Sequence, residues 1–447
     1  MYIKTQTFLV LGISRSGLSA AKYLLGNGAK ALFFYEEAAG EKIEKAKEEI
    51  ISSGGKETGK DDVEETLGVT DVLVISPGVA INHPIAVMAR NKGVKIMGEL
   101  ELAYRSFIPP IIAVTGTNGK TTTVTVINDL LKAAGYSSQA VGNIGIPFTE
   151  KIGSGKDTVF VTEVSSFQLE SVSSFTPHVS CVLNISPDHL ERHYSMENYV
   201  FLKKRIFMNQ RESEYAILNF DDPTVRGFFT EVKAKVSWVS VKEKVDGAYF
   251  SDGYLCYGEE KVISADDLPI GGEHNVYDML FSIAAAKLMG VKTSDIAETL
   301  KNFKGVPFRM QTVAVKDGVT YVNDSKSTNT ASAINAIKSV KGEKILILGG
   351  SEKGETYDKL FGTVKENAVK RVVLTGKSAR NMLYSADKAG VDDVTVVPDF
   401  DTAIKVAKLL AQDGDTVLFS PACASFDRFS GFVERGNRFN EIVGVSP

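Results

Sequence analysis

Ile111-Ile112-Ala113-Val114-Thr115-Gly116-Thr117-Asn118-Gly119-Lys120-Thr121-Thr122-Thr123 runs from apolar residues through a glycine-rich turn into Lys-Thr, the pattern of a strand, a phosphate loop and a helix start. Backbone N–H groups of such a turn and the positive end of the following helix hold polyphosphate, while the lysine supplies charge and the hydroxyl reaches Mg²⁺. The loop is therefore predicted to cradle a triphosphate. The match to the common phosphate-loop pattern is incomplete: the position six before Lys120 is Val114, the nearest upstream glycine is Gly116, and the six residues Gly116–Thr121 form a shorter variant. An ordinary strand-to-helix turn is the plainer alternative, and segments further along the chain weigh against it.

At 447 residues the chain is too long for one ordinary core, and three domains are expected. A hydrophobic content of 43% with 24% charged residues is that of a globular protein in water, and no apolar run approaches the ~20 residues that span a bilayer. The opening Met1-Tyr2-Ile3-Lys4-Thr5-Gln6 lacks a signal-peptide layout, so a cytoplasmic location without membrane insertion is expected. A net charge of −4 provides no global basic field for nucleic acid, and anion binding must come from local sites. Cys181, Cys256 and Cys423 are too dispersed for a disulfide framework or a zinc-ligand pair and read as buried thiols.

Upstream of the loop, Phe8-Leu9-Val10-Leu11-Gly12 and the helix predicted from Leu18 to Asn27 open a Rossmann-like unit whose turn reads G-x-S-x-x-G. Ser14 stands where a dinucleotide fingerprint carries its second glycine, which disfavours close pyrophosphate approach. The next strand ends at Glu36-Glu37, which either hold a ribose or uracil group or are simply solvated. Alternation continues to Pro109-Pro110, the first boundary. After the loop, one predicted strand delivers Glu163 and a second delivers Ser186-Pro187-Asp188-His189-Leu190-Glu191-Arg192-His193, both at the edge where open α/β sheets place ligands. The His189/His193 spacing tempts a zinc assignment, but the central glutamate of a zincin is missing. A helix predicted from Ser195 to Asn209 carries Lys203, Lys204 and Arg205, which by themselves read as a solvated basic face. Short strands through Tyr257 read as a small antiparallel patch, followed by Gly271-Gly272-Glu273-His274-Asn275 and an alanine-rich helix. Beyond Pro307 the alternation repeats, with polar tips at 323–329, 349–354 and 420–429 after predicted strands. The fold class is α/β in three domains: a Rossmann-like domain over 1–107, a central ATPase-type domain with a parallel sheet over 108–305, and a second Rossmann-like domain over 306–447.

With these segments in view the chain resembles the Mur ligases of peptidoglycan synthesis over essentially its whole length. The resemblance rests on GTNGKTTT at 116–123, EVSSFQLE at 163–170, NISPDHLERH at 184–193, KKRIF at 203–207, GGEHN at 271–275, NDSKSTN at 323–329 and SPACASFDRFSGFVERGNRF at 420–439. It implies an ATP-dependent amide ligase acting on UDP-N-acetylmuramoyl-L-alanine and D-glutamate through an acyl phosphate, with UDP-substrate, ATP and amino-acid domains in that order. By resemblance Gly116, Thr117, Asn118, Gly119, Lys120, Thr121 and Thr122, with Asn275, Arg309, Asp324 and Lys326, bind ATP. Lys120, Glu163, His189 and Lys203 are the expected catalytic residues. Two Mg²⁺ ions are expected, held by Thr121, Glu163, His189 and Lys203, the last carbamylated by CO₂. Arg15, Ser16, Ser76, Asn143 and Ser165 fall where the family binds the UDP substrate, and Thr328, Lys353, Ser425 and Phe432 where it binds D-glutamate. A monomer whose third domain swings in on its ligands is expected.

The chain departs from the family pattern at Asp278, where an amide is usual, at Phe308, where histidine is common, and at Tyr35-Glu36-Glu37, which replaces the better-known acidic uracil contact. Three other readings compete. A folylpolyglutamate synthase-like ligase is opposed by the β/α domain ahead of the loop. A nucleotide-operated switch does not explain Lys120, Glu163, His189, Lys203 and Lys326 together, and a nicotinamide oxidoreductase is weakened by Ser14.

Overall fold

A computed structural model describes residues 2–155, 157–269, 272–351 and 356–444. Three sheets organise them. The first contains β1 (Thr7–Leu11), β2 (Ala31–Tyr35), β3 (Lys56–Glu57), β4 (Val72–Ile75) and β5 (Lys95–Gly98), all parallel in the order β3-β2-β1-β4-β5. Its central strands β1 and β4 are buried along their whole length because both faces are covered by crossover helices, as parallel sheets require, whereas the edge strand β3 is the exposed pair Lys56-Glu57. The helix Arg15–Gly26 starts three residues earlier than its periodicity predicts.

The second sheet contains β6 (Ile111–Thr115), β7 (Ser138–Gly142), β8 (Val159–Glu163), β9 (Val179–Val182), β10 (Tyr215–Asn219), β11 (Lys235–Ser240), β12 (Gly247–Ser251), β13 (Tyr254–Tyr257) and β14 (Glu260–Ser264). Their order is β14-β13-β12-β11-β10-β9-β6-β8-β7. The expected small antiparallel patch is thus no separate unit: β12 pairs parallel with β11, and β13 and β14 extend the same sheet as an antiparallel meander. The helix Met196–Lys204 is shorter than predicted and keeps Tyr199 and Lys203 on its buried face.

The first two sheets are joined by the helix Glu99–Ser106. Its Leu102 enters the core of the first sheet with Phe8, Val10 and Phe34, while Leu100 and Ala103 enter the core of the second with Phe148, Phe160 and Phe175. Two of its glutamates are buried, and each uses distant donors. Glu101 accepts from the backbone N–H groups of Ser173 (3.0 Å), Ser174 (2.9 Å) and Phe175 (3.0 Å), and Glu99 from Thr149 N–H (2.6 Å) and Oγ1 (2.8 Å).

The third sheet contains β15 (Gln311–Lys316), β16 (Val319–Asn323), β17 (Lys344–Gly349), β18 (Val369–Thr375), β19 (Val394–Val396) and β20 (Thr416–Phe419), ordered β15-β16-β20-β17-β18-β19. The edge strands β15 and β19 escape the sequence reading because exposed edges lack continuous apolar runs. By compactness the described chain forms two units, one carrying the first two sheets and the other the third.

Candidate functional site

The order β9-β6-β8 places the phosphate loop between two strand tips. Gly119 caps the helix Lys120–Ala133 in the left-handed region at φ 89°. A Cβ there would also lie 2.2 Å from Asp278 Oδ1, so glycine is required twice over. Asp278 is buried and accepts from Thr123 Oγ1 at 3.4 Å, so this departure from the family pattern sits directly on the loop. Asn184 fixes the loop from the β9 side: its Oδ1 accepts Asn118 N–H at 2.9 Å and its carbonyl accepts Thr117 N–H at 3.0 Å. Those two N–H groups therefore face Asn184, leaving phosphate contact to the later donors of the helix's first turn. Asn184 lay inside a quoted motif, yet no spacing rule marked it as the residue that shapes the loop.

Beside the loop, Glu163 leaves β8 with both carboxylate oxygens engaged, Oε2 by Thr121 Oγ1 and Oε1 by Asn143 Nδ2, each at 2.8 Å. The Thr121 hydroxyl and the Glu163 carboxylate are hard oxygen donors of the kind Mg²⁺ takes, with the Asn143 amide bracing the carboxylate. Lys120 Nζ donates to the carbonyls of Gly116 (2.8 Å) and Thr117 (2.7 Å).

Lys203 is 2% exposed, and its Nζ donates to Gly116 O at 2.8 Å and Thr115 Oγ1 at 3.1 Å. The sequence-level reading of a solvated basic face is thereby corrected for this residue: the helix turns it inward, over the Tyr199 ring at 5.2 Å. Burial pushes its pKa well down and the neighbouring Lys120 charge adds to this, against the pull of Asp188 and Glu163. Burial that disfavours the ammonium favours the neutral amine, the form that reacts with CO₂. The oxygen donors of Thr121 and Glu163 are of the kind Mg²⁺ takes, and the buried Lys203 amine lies beside the same loop.

His189 occupies the left-handed region at φ 53°, at the head of the one-turn helix Leu190–His193, with Asp188 Oδ2 at 3.6 Å and the Phe167 ring at 4.9 Å. His193 is buried, its Nε2 3.0 Å from Ser166 Oγ and its Nδ1 3.5 Å from Glu170. With both ring nitrogens engaged, His193 has none left for a zinc pair with His189. No group of three His, Cys, Asp or Glu side chains suited to a metal occurs among the described residues.

Of the residues expected to meet the UDP substrate, Asn143 reaches Glu163 and Ser76 lies 3.3 Å from Ser14 Oγ to Oγ. Arg15 extends from the first sheet toward the turn after β7, where a Cβ on Gly145 would stand 3.2 Å from its Nη1. Ser16 lies beside it in the first turn of its helix. Ser165 is the N-cap of Ser166–Leu169 in a reciprocal capping box with Gln168. Glu36 is half-buried, and its carboxylate accepts Ile13 N–H (2.7 Å) and Ala38 N–H (2.9 Å). A carboxylate on the glycine turn repels pyrophosphate, a second reason against a dinucleotide.

In the third domain Asp324 accepts from Ser420 Oγ (2.7 Å) and Met310 N–H (3.1 Å), and burial pushes its pKa up to about 6 against Ser420, Arg309 and Met310. Lys326 Nζ lies 5.1 Å over the Phe432 ring, and Phe308 packs against Phe432 edge-on at 6.4 Å. Phe308 also fills the space over Gly436, giving this departure a packing role. Ser425 is buried behind the tip of β20, and Thr328 is partly exposed just before the N-cap Asn329. Arg435, missed in the sequence, ties the two tips together through Ser325 O (2.7 Å) and Cys423 O (2.9 Å). Asn275 is buried one turn before Asp278 on the helix Glu273–Leu288. Lys353 and Gly271 lie outside the described residues.

A site of this kind can orient a polyphosphate and neutralise its charge, which puts the protein in the class of nucleotide-using enzymes built on a phosphate loop. The class narrows at once on comparison with known families. Models of the Mur ligase MurD-like N-terminal domain, the Mur ligase middle domain and the Mur ligase glutamate ligase domain match residues 6–98, 114–286 and 308–423. The chain belongs to the Mur ligase family. It is 39% identical to the UDP-N-acetylmuramoylalanine–D-glutamate ligase of Caldanaerobacter subterraneus subsp. tengcongensis, covering 99% of each chain. It is 41% identical to the enzyme of the same name from Pelotomaculum thermopropionicum, covering 97% of this chain and 96% of that one. In fold it is similar to the UDP-N-acetylmuramate-alanine ligase MurC of Thermotoga maritima, with a TM-score of 0.62 at 18% identity over 98% of both chains. A pseudomurein peptide ligase type C from Methanothermus fervidus gives 0.59 at 20% identity, over 98% of this chain and 99% of that one.

Proposed function

We propose that this chain is an ADP-forming ligase that joins D-glutamate to UDP-N-acetylmuramoyl-L-alanine in peptidoglycan precursor synthesis. The observation that carries the reading is its near-40% identity, along almost its whole length, to curated ligases of that name. The convergence of Lys120, Thr121, Glu163 and Lys203 on the phosphate loop supplies the chemistry.

A carboxylate is a poor acylating agent. The substrate's L-alanyl carboxylate oxygen attacks the γ-phosphorus of ATP, ADP leaves, and an acyl phosphate results. The amine of D-glutamate then attacks the acyl carbon, phosphate departs with the activating oxygen, and the nitrogen loses its proton as the amide forms. Phosphoryl transfer between anions depends on positioning and charge neutralisation rather than covalent help from the protein. Lys120 and the helix start at Lys120 hold the phosphates; Thr121 and Glu163 would hold one Mg²⁺, with Asn143 orienting the carboxylate. Mg²⁺ supplies Lewis-acid neutralisation of the transferring group. Lys203 in neutral form adds to CO₂ and loses a proton, and the resulting carbamate, with His189, would hold a second ion. Arg309, Asp324 and Lys326 complete ATP binding; Thr328, Ser425 and Phe432, with Lys353, receive D-glutamate, the lysine as a point charge for a carboxylate. Arg15, Ser16, Ser76 and Ser165 serve the UDP substrate. No described helix is long and apolar enough to cross a membrane, and the proposed reaction is cytoplasmic and carried out by a monomer.

The test is ADP release from ATP, Mg²⁺ and UDP-N-acetylmuramoyl-L-alanine with D-glutamate, L-glutamate, L-lysine, meso-diaminopimelate or no amine, with product mass read in each case. A new amide with D-glutamate alone is expected. Turnover with another amine would overturn the amine assignment, and no turnover with any would overturn the ligase reading.

A further inference from the structure

We propose that Arg192 is a positioning residue that locks the Ser76–Val79 turn of the first domain to the His189 turn of the central domain, so that a ligand held by one sets the geometry of the other. The inference rests on the functional reading above. Arg192 lies on the one-turn helix that His189 heads. Its guanidinium grips Glu170 with two parallel bonds, Nε to Oε1 at 3.1 Å and Nη2 to Oε2 at 2.6 Å. From that anchored position it reaches across to three successive carbonyls: Val79 O at 2.9 Å, Gly78 O at 3.4 Å and Pro77 O at 3.5 Å. Its other support is the Phe167 ring, 5.0 Å away, which also packs against His189 and His193.

The carbonyls it gathers follow directly on Ser76, at the tip of β4, where the UDP substrate is proposed to bind. A second, lighter tie runs beside it, Asn82 Nδ2 to Tyr194 OH at 3.0 Å. Only a planar fork meets a carboxylate on one side and converging carbonyls on the other, so a lysine, with its single compact donor centre, cannot replace it. The observed partners of Arg192 are Glu170, Phe167 and the carbonyls of Pro77, Gly78 and Val79, which is the role of a positioning residue. Its effect is to keep the substrate end of the first domain in register with the side chain proposed to hold the second ion, and a small misplacement of reacting groups is costly in rate.

The test uses Arg192→Gln and Arg192→Lys in the full chain. Both are expected to raise KM for UDP-N-acetylmuramoyl-L-alanine by about tenfold while KM for ATP stays within about twofold, the scale expected when a supporting partner of a ligand residue is removed. Hydrogen exchange over 190–194 is expected to slow when UDP alone binds the parent protein and to be unaffected by UDP in either variant. An unchanged substrate KM, equal rises in both KM values, absent protection in the parent or protection retained in the variants would each overturn the proposal. Asn82→Ala, which leaves Arg192 in place, is expected to shift both readouts in the same direction by a smaller factor, and keeps the test available if the arginine variants do not fold. A parent with no ligase turnover would overturn the functional reading alone, because the exchange experiment with UDP needs no catalysis.

Discussion

Lys203 shows how one side chain changes meaning between sequence and structure. Its neighbours Lys204 and Arg205 are partly exposed, whereas its own amine faces the loop. An ammonium there is costly, since desolvation and Lys120 both oppose it. The sign of the pH effect follows. The folded pKa lies well below the unfolded value, so the unfolded chain binds more protons between the two, and the unmodified protein gains stability as pH rises through that window. The proposed carbamylation would remove the conflict by replacing the cation with an anion able to hold a metal. Lys203→Ala is expected to lose turnover by about 100-fold or more and to regain part of it with added acetate, while depletion of dissolved CO₂ slows the parent. A variant with full activity, or one indifferent to short carboxylates, would contradict this role. The same lesson applies to Glu36, which the sequence leaves open between a ligand contact and solvent and which proves to be tied to backbone N–H groups, and to Glu163, placed by the sequence at a strand tip and found bonded to Thr121 beside the loop.

The element that decides how the first two sheets meet is the helix Glu99–Ser106, and its two buried carboxylates behave oppositely. Burial alone would raise the Glu101 pKa, but the N–H of Ser173, the hydroxyl of Ser174 and Arg105 hold it below its ordinary value. Glu99 has fewer donors and one oxygen without a partner, and burial pushes it up to about 7. Between its unfolded value near 4.5 and about 7 the folded protein binds the extra proton, so Glu99 stabilises at low pH and this contribution is lost as pH rises through 7. Glu99→Gln removes that dependence. Comparing denaturant midpoints at pH 5 and pH 8, the variant is expected to improve relative to the parent by up to about 3 kcal/mol at the higher pH. Parallel pH profiles for the two proteins would show that the carboxyl is ionised in the fold. Sequence reading found this segment only as the approach to a double-proline boundary, because a helix divided between two cores has no single apolar face to announce it.

At the scale of the whole molecule the proposed ATP residues are divided between the two compact units: the phosphate loop and Asn275 belong to one, and Arg309, Asp324 and Lys326 to the other. Ligation needs the amine beside the acyl phosphate, so ligands that draw on both units are expected to contract the molecule. Small-angle scattering with a non-hydrolysable ATP analogue and UDP-N-acetylmuramoyl-L-alanine should give a smaller radius of gyration than the protein alone. Identical curves would remove domain closure from the mechanism.

The sequence by itself determined the alternation of strands and helices, the three-part α/β plan, the phosphate loop and the family resemblance, because these rest on patterns a few residues long: apolar runs, glycine turns and strand-tip polar clusters. Tertiary structure alone decided what each polar residue meets. Lys203 finds Thr115 from 88 positions away, Glu101 finds Phe175 from 74, and Arg192 finds Val79 from 113. Neither periodicity nor spacing encodes such pairings. They arise when strand order brings remote segments to one edge and burial obliges every charge there to find a partner.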